Sequence, residues 1–502
     1  MSCKELIVLL VLFCSCFGSK AAGYYEYNDN CRQAYEQFMS LHLQEGNSLI
    51  LAEKKNNPDN LMADYIADYH DCLLLLMNCD KADYERLRAH FDDRISILEK
   101  GDRSSPWYRF CLAGIYFHKA LVNIRFGAQY KAAINYRRSF ALLKENEKRF
   151  PQFEYNHVFT GLEQAVVGAL PGSYKWLASL LGMSGSVRKG TEQLATFVNS
   201  HTSAHPIYAE TVLYYVFARF YLAAEQKEVW NFLNSPAFST QNNLVNTFAK
   251  VNIALDYRKS DAVARLLQTA TANPDYNKYP VFDYQYGTAL LTQLDTACAK
   301  YFDRYVRQTK SDIYIKTAWQ KMAFGWYATG NMVKAVYCMK QVTDRGSARL
   351  DGDKQAMRFA ENKTWPMKEI LQARLLIDGG YNDRAIAILK KISPASITLA
   401  ADKAEYFFRM ARAYQALYDD NGKKQYFIFA IDNYKESTAA GKGRQEQYAA
   451  RAALQTGKMY EQLGMNKEAI AKYNECLAMP AHDFQNSIDQ QAKAGINRLE
   501  GR

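Results

Sequence analysis

The chain has 502 residues, 48% of them hydrophobic and 23% charged, enough for several soluble domains or one long stack of repeats. Proline (11) and glycine (26) are scarce, which argues against a chain of many short strands and turns. The formal charge of +11 is not gathered into a Lys/Arg block, so it favours acidic partners or anionic head groups over nucleic acid.

Residues 1–21 read as an export signal. Lys4 supplies a short positive start, Leu6 to Phe17 an apolar run, and Ser19-Lys20-Ala21 the small residues of a cleavage site. The run is too short to span a bilayer, so the expectation is cleavage and export to the periplasm or outer membrane of a bacterium. Phe13-Cys14-Ser15-Cys16 loosely resembles a bacterial lipoprotein signal. That allows a lipid anchor at Cys16 and peripheral membrane association, although Phe13 stands where a leucine is usual. The mature chain keeps seven scattered cysteines, an odd set that is not a disulfide framework. Cys72 and Cys111 are left as a possible pair, with buried free thiols the default.

Apolar residues at three- and four-residue steps then predict helix after helix. Residues 28–56 read as two helices broken at Gly46-Asn47, and residues 61–77 and 82–100 as a pair, the second with Leu87, Phe91, Ile95 and Leu98 on one face. Pro106 opens another pair, divided by Gly127 and closed by Pro151. Residues 168–190 depart from the pattern and read as a short apolar hairpin. Within it Trp176, Leu177, Leu180, Leu181 and Met183 form an apolar patch beside Lys175, Arg188 and Lys189. Its two readings are a plug inside the fold and a partner-binding element; the named candidates for the second are Trp176, Leu177, Leu180, Leu181, Met183 and Arg188.

An aromatic helix follows over residues 207–224. A loop bracketed by Asn273-Pro274 and Tyr279-Pro280 is the candidate boundary between a divergent N-terminal region, 22–272, and a more regular one, 281–502. In the latter, Trp319, Ala323, Trp326, Gly330 and Ala335 share repeat spacing, as do Ala373, Gly380, Ala385 and Leu389. Phe407, Ala411 and Tyr414 begin a further repeat, whose inter-helix turn is expected to be long, over residues 418–424.

The clearest repeat is residues 445–480: Leu454-x-x-Gly457-x-x-Tyr460-x-x-x-Gly464, then Ala469-x-x-x-Tyr473-x-x-x-Leu477-x-x-Pro480. Small residues fall where two helices cross and tyrosines fill the gaps beside them. This resembles the tetratricopeptide repeat family, of which the chain looks like a divergent, exported bacterial member. The 168–190 segment is similar to one found in some divergent proteins of that kind. The resemblance implies an all-α fold, an α-solenoid of helix-turn-helix repeats ended by a polar capping helix over residues 483–499.

Chemistry is sparse in the sequence. His201-x3-His205 has metal-ligand spacing, but Pro206 starts a helix after it, so a polar loop is the better reading. His70-Asp71-Cys72 combines three ligand types whose side chains diverge on a helix. There is no phosphate loop and no nucleophile elbow. No catalytic, cofactor or metal residue is nominated. The expectation is a non-catalytic scaffold or adaptor binding a protein or peptide in the cell envelope. The alternatives are a small-molecule or lipid pocket closed by the 168–190 hairpin, and an enzyme built from scattered carboxylates.

Overall fold

The computed structural model describes residues 22–170, 184–362, 364–479 and 481–500. The proposed signal, Cys16 and most of the apolar hairpin lie outside these residues. The described residues form twenty-four α-helices and no strand; two isolated bridges, Gly23 to Gly101 and Tyr24 to Asn60, are the only β-pairing among them. Most successive helices pack against one another in pairs, which makes the fold an all-α solenoid of tetratricopeptide-like repeats. It divides into two compact units: residues 22–76, 81–169 and 184–224 form the first, and residues 77–80, 170 and Glu225 onward the second. No helix among the described residues is long and apolar enough to cross a membrane.

The first unit opens with α1 (Asp29–Phe38), capped by the Asn28 side chain on the Cys31 N–H. The expected break at Gly46-Asn47 is not there: the chain turns earlier, at residues 39–42, and α2 (Leu43–Asn56) runs straight through Gly46. Gly46 instead lies against the Phe38 ring, where any side chain would collide. Glu53, fully buried, accepts hydrogen bonds from Asn28, Asn30, Asn57 and Asn60. Burial alone would raise its pKa; the four amides hold it below the usual value.

Next come α3 (Met62–Asn78) and α4 (Lys81–Leu98), the latter burying the four predicted apolar residues. The pair α5 (Pro106–Arg125) and α6 (Gln129–Arg149) follows, α5 carrying the Ser105 cap and a first-turn proline. Helices α7 (Asn156–Gly168) and α8 (Val187–Ser200) cross where Gly161 meets Gly190; a Cβ on Gly190 would strike the Gly161 carbonyl. The unit ends in α9 (Tyr208–Phe217), which continues as a π-helical turn over Ala218–Leu222.

The second unit begins with α10 (Gln226–Leu233), α11 (Leu244–Asp256) and α12 (Ser260–Ala270). Residues 273–280, expected to separate two halves, connect α12 to α13 (Val281–Leu291) inside this unit, with Tyr276 stacked on Phe282. Then follow α14 (Cys298–Gln308), α15 (Ile315–Ala328), α16 (Met332–Asp344), α17 (Asp351–Asn362), α18 (Lys368–Gly379) and α19 (Asn382–Leu389). The last repeats are α20 (Ala400–Asn421) with α21 (Lys424–Ala440), and α22 (Tyr448–Gln462) with α23 (Asn466–Leu477), closed by α24 (Gln485–Glu500). The long turn expected at residues 418–424 is helix instead: α20 runs on to Asn421, and only Gly422 and Lys423 turn the chain. Gly330, Gly380, Gly422 and Gly464 end the first helices of their pairs with φ of 92°, 89°, 68° and 71°, a left-handed stop that glycine adopts at least cost.

In the 445–480 repeat the predicted packing is visible atom by atom. A Cβ on Gly457 would lie 2.6 Å from the Tyr473 ring, and Gly495 of α24 closes on the ring's other edge. The Tyr473 hydroxyl donates to Glu461, which Arg498 grips at 2.9 and 3.0 Å. The capping helix α24 buries Ile488, Ala492 and Gly495 against its neighbours. The seven described cysteines are buried and outside any disulfide, Cys72 and Cys111 included.

Candidate functional site

Two constellations of charged side chains are large enough to carry function, one in each unit. In the first unit His118 of α5 faces Asp68 of α3 at 2.8 Å through Nδ1 and Glu210 of α9 at 3.1 Å through Nε2. Arg94 of α4 joins Asp68 (3.2 Å) to Asp71 (2.7 Å), and Asp71 also meets His70 and His90. Glu210 accepts from the hydroxyls of Tyr69 and Tyr214, while its own N–H donates to Tyr35 of α1 at 3.0 Å. Burial alone would lower the His118 pKa; the two carboxylates outweigh it and hold the ring charged, with a pKa of about 9. Asp71 goes the other way: burial is outweighed by His70, Arg94 and His90, which hold it well below the carboxylate range. The ring of His118 is 2% exposed with both nitrogens occupied, so no substrate reaches it. This network is a strut joining α1, α3, α4, α5 and α9. His70-Asp71-Cys72 enters it through His70 and Asp71, while Cys72 is buried and carries no disulfide.

The second unit holds a row of half-buried cations on the first helices of successive pairs. Arg374 of α18 follows Ala373, Arg412 of α20 follows Ala411, and Lys458 of α22 follows Gly457. Ala373, Ala411 and Gly457 are the buried small residues of those helices, so the cation one step on emerges beside the crossing in each repeat. Lys321 of α15 and Arg451 of α22 extend the row. Arg374 lies over the Phe324 ring at 5.4 Å, and Arg451 over Phe484 at 5.5 Å. Arg412 donates to Gln415 at 2.9 Å and Lys458 to Gln491 at 2.7 Å. Arg409 is paired with Glu405 at 2.8 Å, but Arg374, Arg412, Arg451 and Lys458 form no ion pair among the described residues.

These cations feel one another. Burial and then Arg412 and Arg498 lower the pKa of Lys458; burial and then Arg409 and Arg412 lower that of Arg451. Lys321 falls to about 8 through burial, which its neighbour Arg374 reinforces and Asp378 opposes. Arg258, at the end of α11, falls to about 10 through burial and the nearness of Arg412. Beside it a cavity of about 370 Å³ is lined by Arg258, Arg412, Asp419 and Asp420. Gly380 makes that approach possible, because a Cβ there would run into the Arg258 carbonyl. Like charges gathered at the cost of their own ionisation form a surface ready for anionic groups.

Of the residues nominated from sequence, Trp176, Leu177, Leu180, Leu181 and Met183 lie outside the described residues. Arg188 is the second residue of α8, exposed, with Glu192 at 3.6 Å one turn on. His201 caps the end of α8: its Nε2 meets Glu154 at 3.1 Å and its ring lies edge-to-face with His205, in the loop the sequence predicted. The cation row was missed. Its signal was present as a basic residue directly after the small packing residue in three repeats, a register that composition and charge runs do not reveal.

No family model matches the chain, and no curated protein is detectably similar to it. Among solved structures it is similar to the crystal structure of the APC/C hetero-tetramer Cut9-Hcn1, at 12% identity over 93% of this chain and 95% of that one, with a TM-score of 0.25. It is also similar to the structure of Naa15/Naa10 bound to HypK-THB, at 13% identity over 94% and 78% of the two chains, with a TM-score of 0.21.

Proposed function

We propose that this protein is a non-catalytic scaffold that holds a protein partner, with an acidic, extended segment of that partner lying along the cation row of the second unit. The observation that carries the reading is the repeated placement of Arg374, Arg412 and Lys458 one residue after the small packing residue, without ion-paired carboxylates. A solenoid presents the first helices of its pairs as a continuous surface, and an extended peptide can contact several repeats at once. Carboxylates along such a segment would relieve the mutual repulsion of the cations. The N-terminal signal-like sequence supports export, so the proposed setting is a bacterial envelope, in the periplasm or at the outer membrane.

The test is affinity capture from native envelope with the wild-type chain and with Arg412→Glu/Lys458→Glu. A protein captured by the wild type and lost from the folded variant supports the scaffold. Capture of a small molecule in place of any protein would favour the pocket beside Arg258.

A further inference from the structure

A separate groove lies in the second unit between α14 and α16, with α15 as its floor, and encloses about 800 Å³. Trp319 and Trp326 of α15 and Tyr337 of α16 line it. Three cations stand at its rim on aromatic rings: Lys334 lies 4.1 Å from the Trp326 centroid, Arg345 5.8 Å from Trp319, and Lys300 6.0 Å from Tyr301. The groove's other cation, Arg307, is already paired with Asp303 at 2.8 Å, and none of the three forms an ion pair among the described residues. The groove therefore has an uncompensated positive rim. Trp319 adds a second, independent observation: it is 5% exposed, and its indole N–H has no acceptor among the described residues. A buried donor without an acceptor is destabilising, and an oxygen brought by an occupant would offset that.

Alongside the groove, α16 turns apolar side chains outward. Val333 is 83% exposed, Val336 50% and Tyr337 60%, at positions i, i+3 and i+4 of one helical face, while Ala335, Cys338, Met339 and Val342 fill the core. An amphipathic helix needs one apolar stripe; α16 has two, and in the outer one Tyr337 stands edge-to-face with Trp319 of the groove while Val333 and Val336 stay exposed.

We propose that this groove and the outer face of α16 dock an acidic amphipathic segment of a partner protein. Its carboxylates would sit on Lys300, Lys334 and Arg345, and its apolar side chains on Val333, Val336 and Tyr337. Charge complementarity selects this occupant. A second copy of the chain, at net charge +11, does not supply the opposite field. A nucleic-acid strand would meet the cations but has no aliphatic side chains for the valines. The site shares no residue with the cation row, so the chain would bind two segments at once, and either site can fail without the other.

The experiment selects short random peptides on the full chain, with counter-selection on the Lys334→Glu/Arg345→Glu variant. Survivors are then titrated by fluorescence anisotropy. The expected survivors interleave Asp or Glu with Leu or Phe. Their affinity should fall about tenfold or more with Lys334→Glu/Arg345→Glu and with Val333→Asp, and stay unchanged with Arg412→Glu/Lys458→Glu. All three variants should keep the wild-type circular dichroism and melting temperature, since every changed side chain is exposed or half-buried. Three results would overturn the proposal: no peptide surviving counter-selection, survivors without acidic residues, or binding to phosphatidylglycerol vesicles, but to no peptide, that Val333→Asp abolishes.

Discussion

Tyr473 shows how one side chain can hold three helices. Its ring fills the space left by Gly457 on α22 and Gly495 on α24, and its hydroxyl reaches the carboxylate that Arg498 grips. Gly457→Ala should cost about 1–3 kcal/mol, because the added methyl meets the ring with no room to move. Chemical denaturation will read this as a lower midpoint at unchanged slope. His118 makes a different kind of prediction. Its folded pKa of about 9 lies above the ordinary histidine value of 6.5, so its contribution is complete below pH 6.5 and fades as pH rises through about 9. His118→Gln should therefore destabilise strongly at pH 6, by about 3–5 kcal/mol, because Asp68 and Glu210 lose the cation between them. The gap between variant and wild type should shrink by pH 9.5. Calorimetry at the two pH values measures it, and a gap that does not change with pH would mean the ring is neutral in the folded protein.

Elements were far more legible from sequence than sites. The three- and four-residue spacing located most helices, because a helix that must bury one stripe repeats its apolar residues whatever the stripe packs against, but residues 156–168, 187–200 and 351–362 were not read as helix. Glycine was less readable. Gly464 does end a helix, but Gly46 sits within one, excluded from carrying a side chain by Phe38 rather than by its own torsions. The polar stretch at residues 418–424 read as a loop, yet most of it extends α20, since exposed Asp and Asn at a helix end look the same in either state. The charged clusters were hidden for a simpler reason. His118 meets Glu210 across 92 residues, and Arg374, Arg412 and Lys458 come together only once the pairs have stacked. At this scale the Gly161 and Gly190 crossing is the sharpest test. Gly190→Ala pushes a methyl into a backbone carbonyl that cannot rotate away, so α7 and α8 must separate. Hydrogen exchange should show faster opening across those two helices, with α20–α23 unchanged.

At the scale of the whole chain, stacking of the helix pairs in the second unit creates the row of cations. A net charge of +11 adds long-range attraction for acidic partners, so capture should weaken steadily from low to physiological salt and beyond. The buried network of the first unit has no such dependence; its charges are paired within the fold and shielded from solvent ions. The most direct test of the central claim is site-specific photocrosslinking in the native envelope. A photoreactive residue placed at Ala416, in the cavity beside Arg412, is compared with one at Lys435 on the exposed side of α21. The expected result is a protein adduct from position 416 that maps to an acidic segment, absent from position 435 and lost with Arg412→Glu/Lys458→Glu. The same adducts from both positions, or no protein adduct from 416, would contradict it.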